Sequence, residues 1–294
     1  MSKRIDRLPE LSPRPREGHK GLFGRVLIIG GNPEMIGAPV LAGSSAFRSG
    51  AGLVQVAMPK SVLTQALTIE PELIGLGLPT TAKKWQQAVE QADAIVIGPG
   101  MGQSPEAGKL LRSVLKLHEK PVVVDADALN LLAAGKQWPG GIRARCVLTP
   151  HPGEMKRLAR LFGQTELSQT PEDRSETAIR AATSFGQVVV LKGHQTIVTD
   201  AKKYYVNNTG DSTLSKAGTG DILTGICATL LAQGLDPFDA ACISVWVHGK
   251  AGEIAGQRFG PRSAMAREIV GCIGQGFDEY ARLYGYKPSA PDVS

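Results

Sequence analysis

Residues 212–234 read STLSKAGTGDILTGICATLLAQG, with four glycines and one aspartate at the mouth of a helical pattern. From Ile222 the apolar residues fall at 222, 223, 226, 227, 230 and 231, a single helical face, and Gly234 is placed to end it. The spacing predicts a helix that begins near Asp221, with AGTG (217–220) as its entry loop. Two familiar phosphate loops fail here. A Walker loop needs a Lys directly after its last glycine, whereas Lys216 precedes the glycines and Asp221 follows them. A Rossmann fingerprint counted from Gly218 puts Leu223 where its third glycine belongs.

Free N–H groups at a helix start, presented by glycines that lack Cβ bulk, form an anion site. An aspartate there cannot hold a phosphate by charge, but it can take a proton from a hydroxyl that attacks one. Phosphoryl transfer to an alcohol needs such a set: an anion cradle, a metal to neutralise charge and a base beside the acceptor. The loop alone leaves a second reading open, since Asp is also a good N-cap.

Working outward, short apolar runs alternate with helical patterns. RVLIIGG (25–31), LVQVAMP (53–59), DAIVIGPG (93–100), KPVVVDAD (120–127), RCVLTP (145–150) and QVVVLKG (187–193) read as strands. Helical patterns occupy 37–52, 105–117, 128–134, 153–163 and 172–185. Continuous apolar strands separated by helices predict a mostly parallel sheet buried on both faces. QTIVTDAKKYYV (195–206) breaks the rhythm and predicts an antiparallel hairpin at one sheet edge. No repeat or linker divides the chain. The expected organisation is a basic N-terminal arm (1–18), one α/β domain (19–284) and a C-terminal tail (285–294).

The net charge of +6 over 294 residues is uneven: residues 1–25 hold seven Lys or Arg against three acids. That basicity belongs to the arm, read as a solvated tail, and no basic stripe with interleaved aromatics marks a nucleic-acid surface. Four cysteines lie far apart without a C-x-x-C pair, which predicts buried free thiols. The first 20 residues lack the apolar run of a signal peptide. The longest uncharged stretch, Ile222 to Leu235, falls short of the roughly 18 residues of a membrane span. A cytoplasmic protein without nucleic-acid or membrane partners is the expectation. An apolar helix pair around 222–257 offers a surface for self-association.

HKGLFGRVLIIGG (19–31), GAPVLAGSSAFRSGAGLV (37–54), GPGMG (98–102), DADALN (125–130), LTPHPGEMKRL (148–158), LKGHQTIV (191–198) and NTGDSTLSKAGTGDILTG (208–225) occur in that order. As a set they resemble the ADP-dependent NAD(P)H-hydrate dehydratases of the ribokinase-like superfamily. The resemblance runs from about residue 19 to 280. It implies a three-layer sandwich and the removal of water from (6S)-NADHX or NADPHX, with ADP converted to AMP and phosphate. Some family members carry an N-terminal epimerase domain; with no room for one here, the dehydratase half alone is expected.

By this resemblance Asp221 is the catalytic base, and it contacts the hydrate together with Ala38, Gly102 and His151. Lys192, Gly193, His194, Gln195 and Thr196 line the nucleotide phosphate, joined by Gly218, Thr219 and Gly220. Glu154 supports Mg²⁺ through water, and ADP (or ATP) is the co-substrate. The family often forms tetramers, so a homo-oligomer is implied. Asp125 and Asp127 end a strand at the same sheet edge; they either orient Mg²⁺ or the nicotinamide side, or cap the next helix. Two rivals remain: an ATP-dependent kinase of a small alcohol of thiazole, pyrimidine or pyridoxal type, and a non-catalytic nucleotide-binding protein.

Overall fold

The computed structural model describes residues 2–11, 13–118, 120–135, 141–164 and 170–286. The first half contains β1 (Lys3–Arg4), β2 (Arg25–Ile29), α1 (Gly37–Arg48), β3 (Leu53–Pro59), α2 (Lys60–Ile69), β4 (Ile74–Leu78), α3 (Ala82–Gln91), β5 (Ala94–Ile97) and α4 (Pro105–Leu115). There follow β6 (Pro121–Val124), α5 (Ala126–Ala133), β7 (Arg145–Leu148), α6 (Pro152–Leu158), α7 (Pro171–Phe185), β8 (Val188–Leu191), β9 (Ile197–Thr199) and β10 (Lys203–Val206). Three helices close the chain: α8 (Thr219–Ala232), α9 (Pro237–Phe259) and α10 (Ala266–Tyr284).

The ten strands form one sheet in the order β1-β10-β9-β8-β7-β6-β5-β2-β3-β4. Strands β2 to β8 run parallel, and β9 pairs antiparallel with both β8 and β10. The apolar runs are explained by what covers each face. Val26 and Ile28 of β2 face a layer built from α1, α2, α8, α9 and α10, while Leu27 and Ile29 face α3 to α7. Val26 to Ile29 are all buried, so no polar alternation survives. The chain leaves β2 outward through β3 and β4, then returns to β5 on the other side of β2. That reversal opens a crevice at the carboxyl ends of β2 and β5, where open α/β sheets take ligands.

The structure departs from the sequence reading in four places. The arm is not a solvated tail. β1 adds a parallel strand beside β10, Leu8 and Leu11 are buried in the main core, and the Tyr280 hydroxyl donates to Pro9 O at 2.6 Å. Charge dominated the sequence signal there and hid two isolated leucines. Strand β4 escaped notice because its sequence, IGLGL, carries two glycines and a single β-branched residue. Helix α8 starts at Thr219, two residues before the expected position, with Gly218 as its N-cap. The 222–257 helix pair spends its apolar residues inside the chain: α8 and α9 are the centre of one layer rather than an open surface.

All four cysteines are free and buried, as expected. No described helix is long and apolar enough to cross a membrane. Of the expected C-terminal tail, residues from 287 on lie outside the described residues.

Leu8 is 2% exposed within the core of the α8–α10 layer. Leu8→Ala therefore destabilises the protein by about 2–4 kcal/mol in urea denaturation, whereas a solvated arm would give no change.

Candidate active site

An ion pair organises the carboxyl edge of the sheet. Asp125 follows β6 and is 2% exposed; Lys192 follows β8, and its Nζ lies 2.8 Å from Asp125 Oδ1. The other oxygen, Asp125 Oδ2, accepts from Thr224 Oγ1 of α8 at 2.9 Å. Asp125 stands at the N-cap of α5 yet makes no capping bond with its side chain. Its carboxylate is turned across β7 to the lysine instead, which removes the capping alternative. Asp127 is likewise directed elsewhere: it accepts from Gly102 N–H at 2.9 Å and from Gln103 Nε2 at 3.2 Å, fixing the GPGMG loop. Backbone contact holds the two loops together, because a Cβ at Gly98 would stand 1.8 Å from Asp125 O.

Lys192 also lies 3.9 Å from Glu154 Oε2. Glu154 is held by a capping box at the start of α6. His151 N–H donates to Glu154 Oε2 at 2.8 Å, and His151 Nδ1 accepts from Gly153 N–H at 3.0 Å. With Nδ1 an acceptor, Nε2 carries the proton in the neutral ring and lies 3.4 Å from Glu154 Oε1. Burial pushes His151 below its ordinary value, and Lys192 and Arg157 push the same way.

Asp221 enters from the first turn of α8. Burial drives its carboxyl up to about 7, and the nearby negative charge of Asp125 adds to the rise against the opposing pull of Lys192. Glu154 is also raised to about 7, again by burial first. Burial works against the Lys192 ammonium, but Asp125, Glu154 and Asp221 outweigh it and hold the amine protonated. One cation thus serves three carboxyl groups, two of which are poised near neutrality. A group with such a value can accept a proton and release it at working pH.

The entry loop is a cradle without its own lysine. Gly218 takes a left-handed φ of +90°, and a Cβ there would stand 2.7 Å from Leu41 Cδ1. The first-turn N–H groups of α8 have no acceptor within the helix. Lys216 turns away, donating to Pro261 O at 3.1 Å and to Ala264 O. The cation beside the loop is Lys192: a Cβ at Gly220 would stand 3.4 Å from its Nζ.

A cavity of about 580 Å³ opens between this loop, the end of β8 and helix α9. Lys192, Gly193, His194, Gln195, Thr196, Thr219 and Gly220 all line it; Gly218 sits behind them as the cap. The 192–196 turn is preformed, with Gln195 at φ +54° and Thr196 Oγ1 donating to Gly193 O at 2.9 Å. Arg174 of α7 braces it by donating to the carbonyls of His194 and Lys192. The opposite wall is Asn207–Ser215 and His248, whose value burial pushes down to about 4. The 208–215 wall lies within the 208–225 motif but had no role assigned to it, while Arg174 and His248 carried no readable signal in the sequence, since each comes from an element distant in the chain.

Ala38 and Gly102 lie at the β2/β5 crevice rather than in this cavity. Asn32 Nδ2 donates to Gly100 O at 2.9 Å, and a Cβ at Gly100 would stand 3.3 Å from Ala38 Cβ. His151, after β7, stands between that crevice and Lys192, as the strand order requires. No group of three or more His, Cys, Asp or Glu side chains forms a metal cage among the described residues. Mg²⁺ does not need one: it keeps several waters and binds through one or two carboxylates plus substrate phosphates. The buried Glu154 carboxylate at the cradle's edge fits that water-mediated role.

A family model described as NAD(P)H-hydrate dehydratase matches residues 26–274. The ADP-dependent (S)-NAD(P)H-hydrate dehydratase of Neisseria meningitidis is 39% identical over 246 residues, covering 82% of this chain and 80% of that protein. The bifunctional NAD(P)H-hydrate repair enzyme of Moorella thermoacetica is 39% identical over 271 residues, covering 89% of this chain and 50% of that protein. The chain therefore spans about half the length of the bifunctional relatives it matches. A Bacillus subtilis ADP/ATP-dependent NAD(P)H-hydrate dehydratase, co-crystallised with ATP and Mg²⁺, superposes with a TM-score of 0.78 at 30% identity. The match covers 92% of this chain and 95% of that one. A ribokinase-like protein of Enterococcus faecalis gives a TM-score of 0.80 at 28% identity over 92% of both chains.

Removing one partner of a buried pair strands the other charge. Lys192→Met destabilises the protein by about 3–5 kcal/mol in urea denaturation, and adding Asp125→Asn restores part of the loss. Carboxyl groups raised in the folded state contribute stability that is full below their unfolded values near 4 and lost as pH rises through about 7. The ligand-free protein is thus less stable at pH 8 than at pH 5 from these two groups. Glu154→Gln and Asp221→Asn each flatten that slope by on the order of 1–3 kcal/mol, read from denaturation midpoints across pH.

Proposed function

The chain belongs to the NAD(P)H-hydrate dehydratase family, and from that premise we propose that it restores reduced nicotinamide dinucleotides from their C6 hydrates, converting ADP to AMP and phosphate. The observation that carries the reaction is Asp221: a carboxyl poised near neutral pH at the mouth of an anion cradle, beside a buried cation. In this reading ADP occupies the cavity along Lys192–Thr196, with its terminal phosphate at the N–H groups of Gly218, Thr219 and Gly220. The hydrated ring lies over Ala38, Gly102 and His151, at the crevice between β2 and β5.

Asp221 takes the proton of the 6-hydroxyl, and that oxygen bonds to the β-phosphorus of ADP as the bond to the AMP oxygen breaks. Lys192 stays protonated throughout and offsets charge on the moving phosphoryl group. Phosphate, a far better leaving group than hydroxide, then departs from C6, pushed by the lone pair of the ring nitrogen. The C5 proton passes to the departing phosphate, which restores the double bond. His151, neutral and proton-bearing at Nε2, is a donor at the ring side. Mg²⁺, when bound through water to Glu154, supplies neutralisation of the nucleotide phosphates. Assembly as a tetramer belongs to the same reading, with ADP or ATP as the co-substrate.

The resemblance to a small-alcohol kinase is one of fold: hydroxyethylthiazole kinase of Pyrococcus horikoshii matches with a TM-score of 0.55 at 17% identity. A non-catalytic binder would have no use for a base at position 221.

The test incubates the protein with enzymatically hydrated NADH, Mg²⁺ and ADP and follows recovery of the reduced-nicotinamide absorbance. Nucleotide-dependent recovery with release of AMP is expected; a stable phosphorylated product would return the kinase reading. Asp221→Asn retains ADP binding and loses roughly 10²–10⁴-fold in turnover. For the wild type, kcat/KM rises with pH through about 7, as the base ionises in the free enzyme.

A further inference from the structure

Across the sheet edge the site follows strand order: Lys192 after β8, His151 after β7, Asp125 after β6 and Gly102 after β5. The nucleotide cavity lies at the β8 end, against α8 and α9. A second cavity, of about 470 Å³, lies toward the β5 end against the opposite helical layer. It is lined by Gln103, Asn130, Ala133, Ala134, Arg157 and Arg160. Gln103 is the residue directly after Gly102, and Arg157 lies one helical turn beyond Glu154.

The arginines have the character of a receptor for an anion. Arg157 Nε donates to Asn130 Oδ1 at 2.9 Å, which anchors the guanidinium and leaves its two terminal amino groups without a hydrogen-bond partner among the described residues. A Cβ at Gly153 would stand 4.0 Å from Arg157 Nη1, so this charge sits against the turn that carries His151. Its field reaches the reacting centre, adding to the downward push on His151 and opposing the burial-driven rise of Glu154. Both arginines are exposed, and neither forms an ion pair among the described residues. Asp127, which accepts from Gln103 on the cavity wall, also accepts from Gly102 N–H. An oriented guanidinium at Arg157, with Arg160 lining the same cavity, suits the bidentate recognition of phosphate.

We propose that Arg157 and Arg160 form an anion subsite for a phosphate group of the dinucleotide substrate. The hydrate-repair reading supplies that substrate. With the nicotinamide at Asp221 and ADP filling the β8 side, the remainder of the dinucleotide leaves over the β5–β7 side. There it carries a pyrophosphate in both dinucleotides and a 2′-phosphate in the phosphorylated one. Phosphate recognition is common to both groups, and the two are separable by experiment.

The experiment titrates NADH and NADPH, stable forms of the same dinucleotide, against wild type, Arg157→Ala, Arg157→Lys and Arg160→Ala, following nicotinamide fluorescence. ADP is titrated in parallel. Each alanine variant is expected to weaken dinucleotide binding about tenfold, the size of one lost charge-assisted hydrogen bond, with ADP affinity unchanged. Arg157→Lys falls between, because it keeps the charge and loses the fork. Equal weakening for NADH and NADPH assigns the pyrophosphate; weakening confined to NADPH assigns the 2′-phosphate. Unaltered dinucleotide affinity in both alanine variants overturns the subsite, as does equal weakening for ADP or a wild type that binds neither dinucleotide. The Arg160 side chain has no hydrogen-bond or ion-pair partner among the described residues, so its variant keeps the wild-type melting temperature and remains interpretable. Arginine-dependent dinucleotide binding in a protein that never turns over the hydrate would sink the reaction and leave the subsite standing.

Discussion

Everything at the carboxyl edge of the sheet is arranged around the 2.8 Å contact between Lys192 and Asp125. The pair spans from the end of β8 to the end of β6, and Thr224 draws the start of α8 onto the same carboxylate. Taking both charges out of water costs several kcal/mol, and their attraction repays that only when every remaining lone pair and proton is satisfied. Asp125 meets the condition: one oxygen takes the ammonium and the other the hydroxyl. The pair is therefore better understood as a device that fixes position than as a source of net stability. It sets where the lysine sits relative to the α8 cradle, and so where the cation acts.

That placement explains an acid where a phosphate loop ordinarily carries a lysine. A Walker loop puts cradle and cation in one segment. Here they are divided: α8 supplies the N–H groups, β8 supplies the ammonium, and Lys216 is spent on the carbonyls of Pro261 and Ala264. Position 221 is then free for a group of opposite charge. The cost of the arrangement is crowding, since three carboxyl groups share one cation. Asp221 and Glu154 respond by holding protons near neutral pH, and that same response makes Asp221 useful as a base.

The sequence made some of this legible and hid the rest for physical reasons. Doubly buried strands such as VLII and VVV announce themselves because both faces meet helices, and the hairpin at 197–206 stands out by its polar turn. The GTGD loop revealed a helix start by its glycines and apolar spacing. Asp125 was visible as an acid at a strand end, but its partner lies 67 residues away, and no local pattern reports an ion pair of that span. Arg174, Thr224 and His248 are silent for the same reason. The N-terminal arm misled in the opposite direction: its charges are real, yet two leucines among them decide where it goes.

A two-substrate reaction at one base requires that both ligands reach the same few ångströms without sharing volume. The sheet edge meets this requirement through its layering. The cavity along Lys192–Thr196 opens against the layer containing α8 and α9, and the cavity beside Gly102 opens against the layer containing α5 and α6. Between them runs the line of strand ends from β8 to β5, and on it stand Lys192, Glu154 and Asp125, with Asp221 reaching over from α8. A donor nucleotide and a long acceptor can thus approach from opposite faces and meet only at the ridge. Because Asp125 ties that ridge to both layers, a shift in either cavity is felt at the base, so binding on one side and chemistry at the centre share one rigid support.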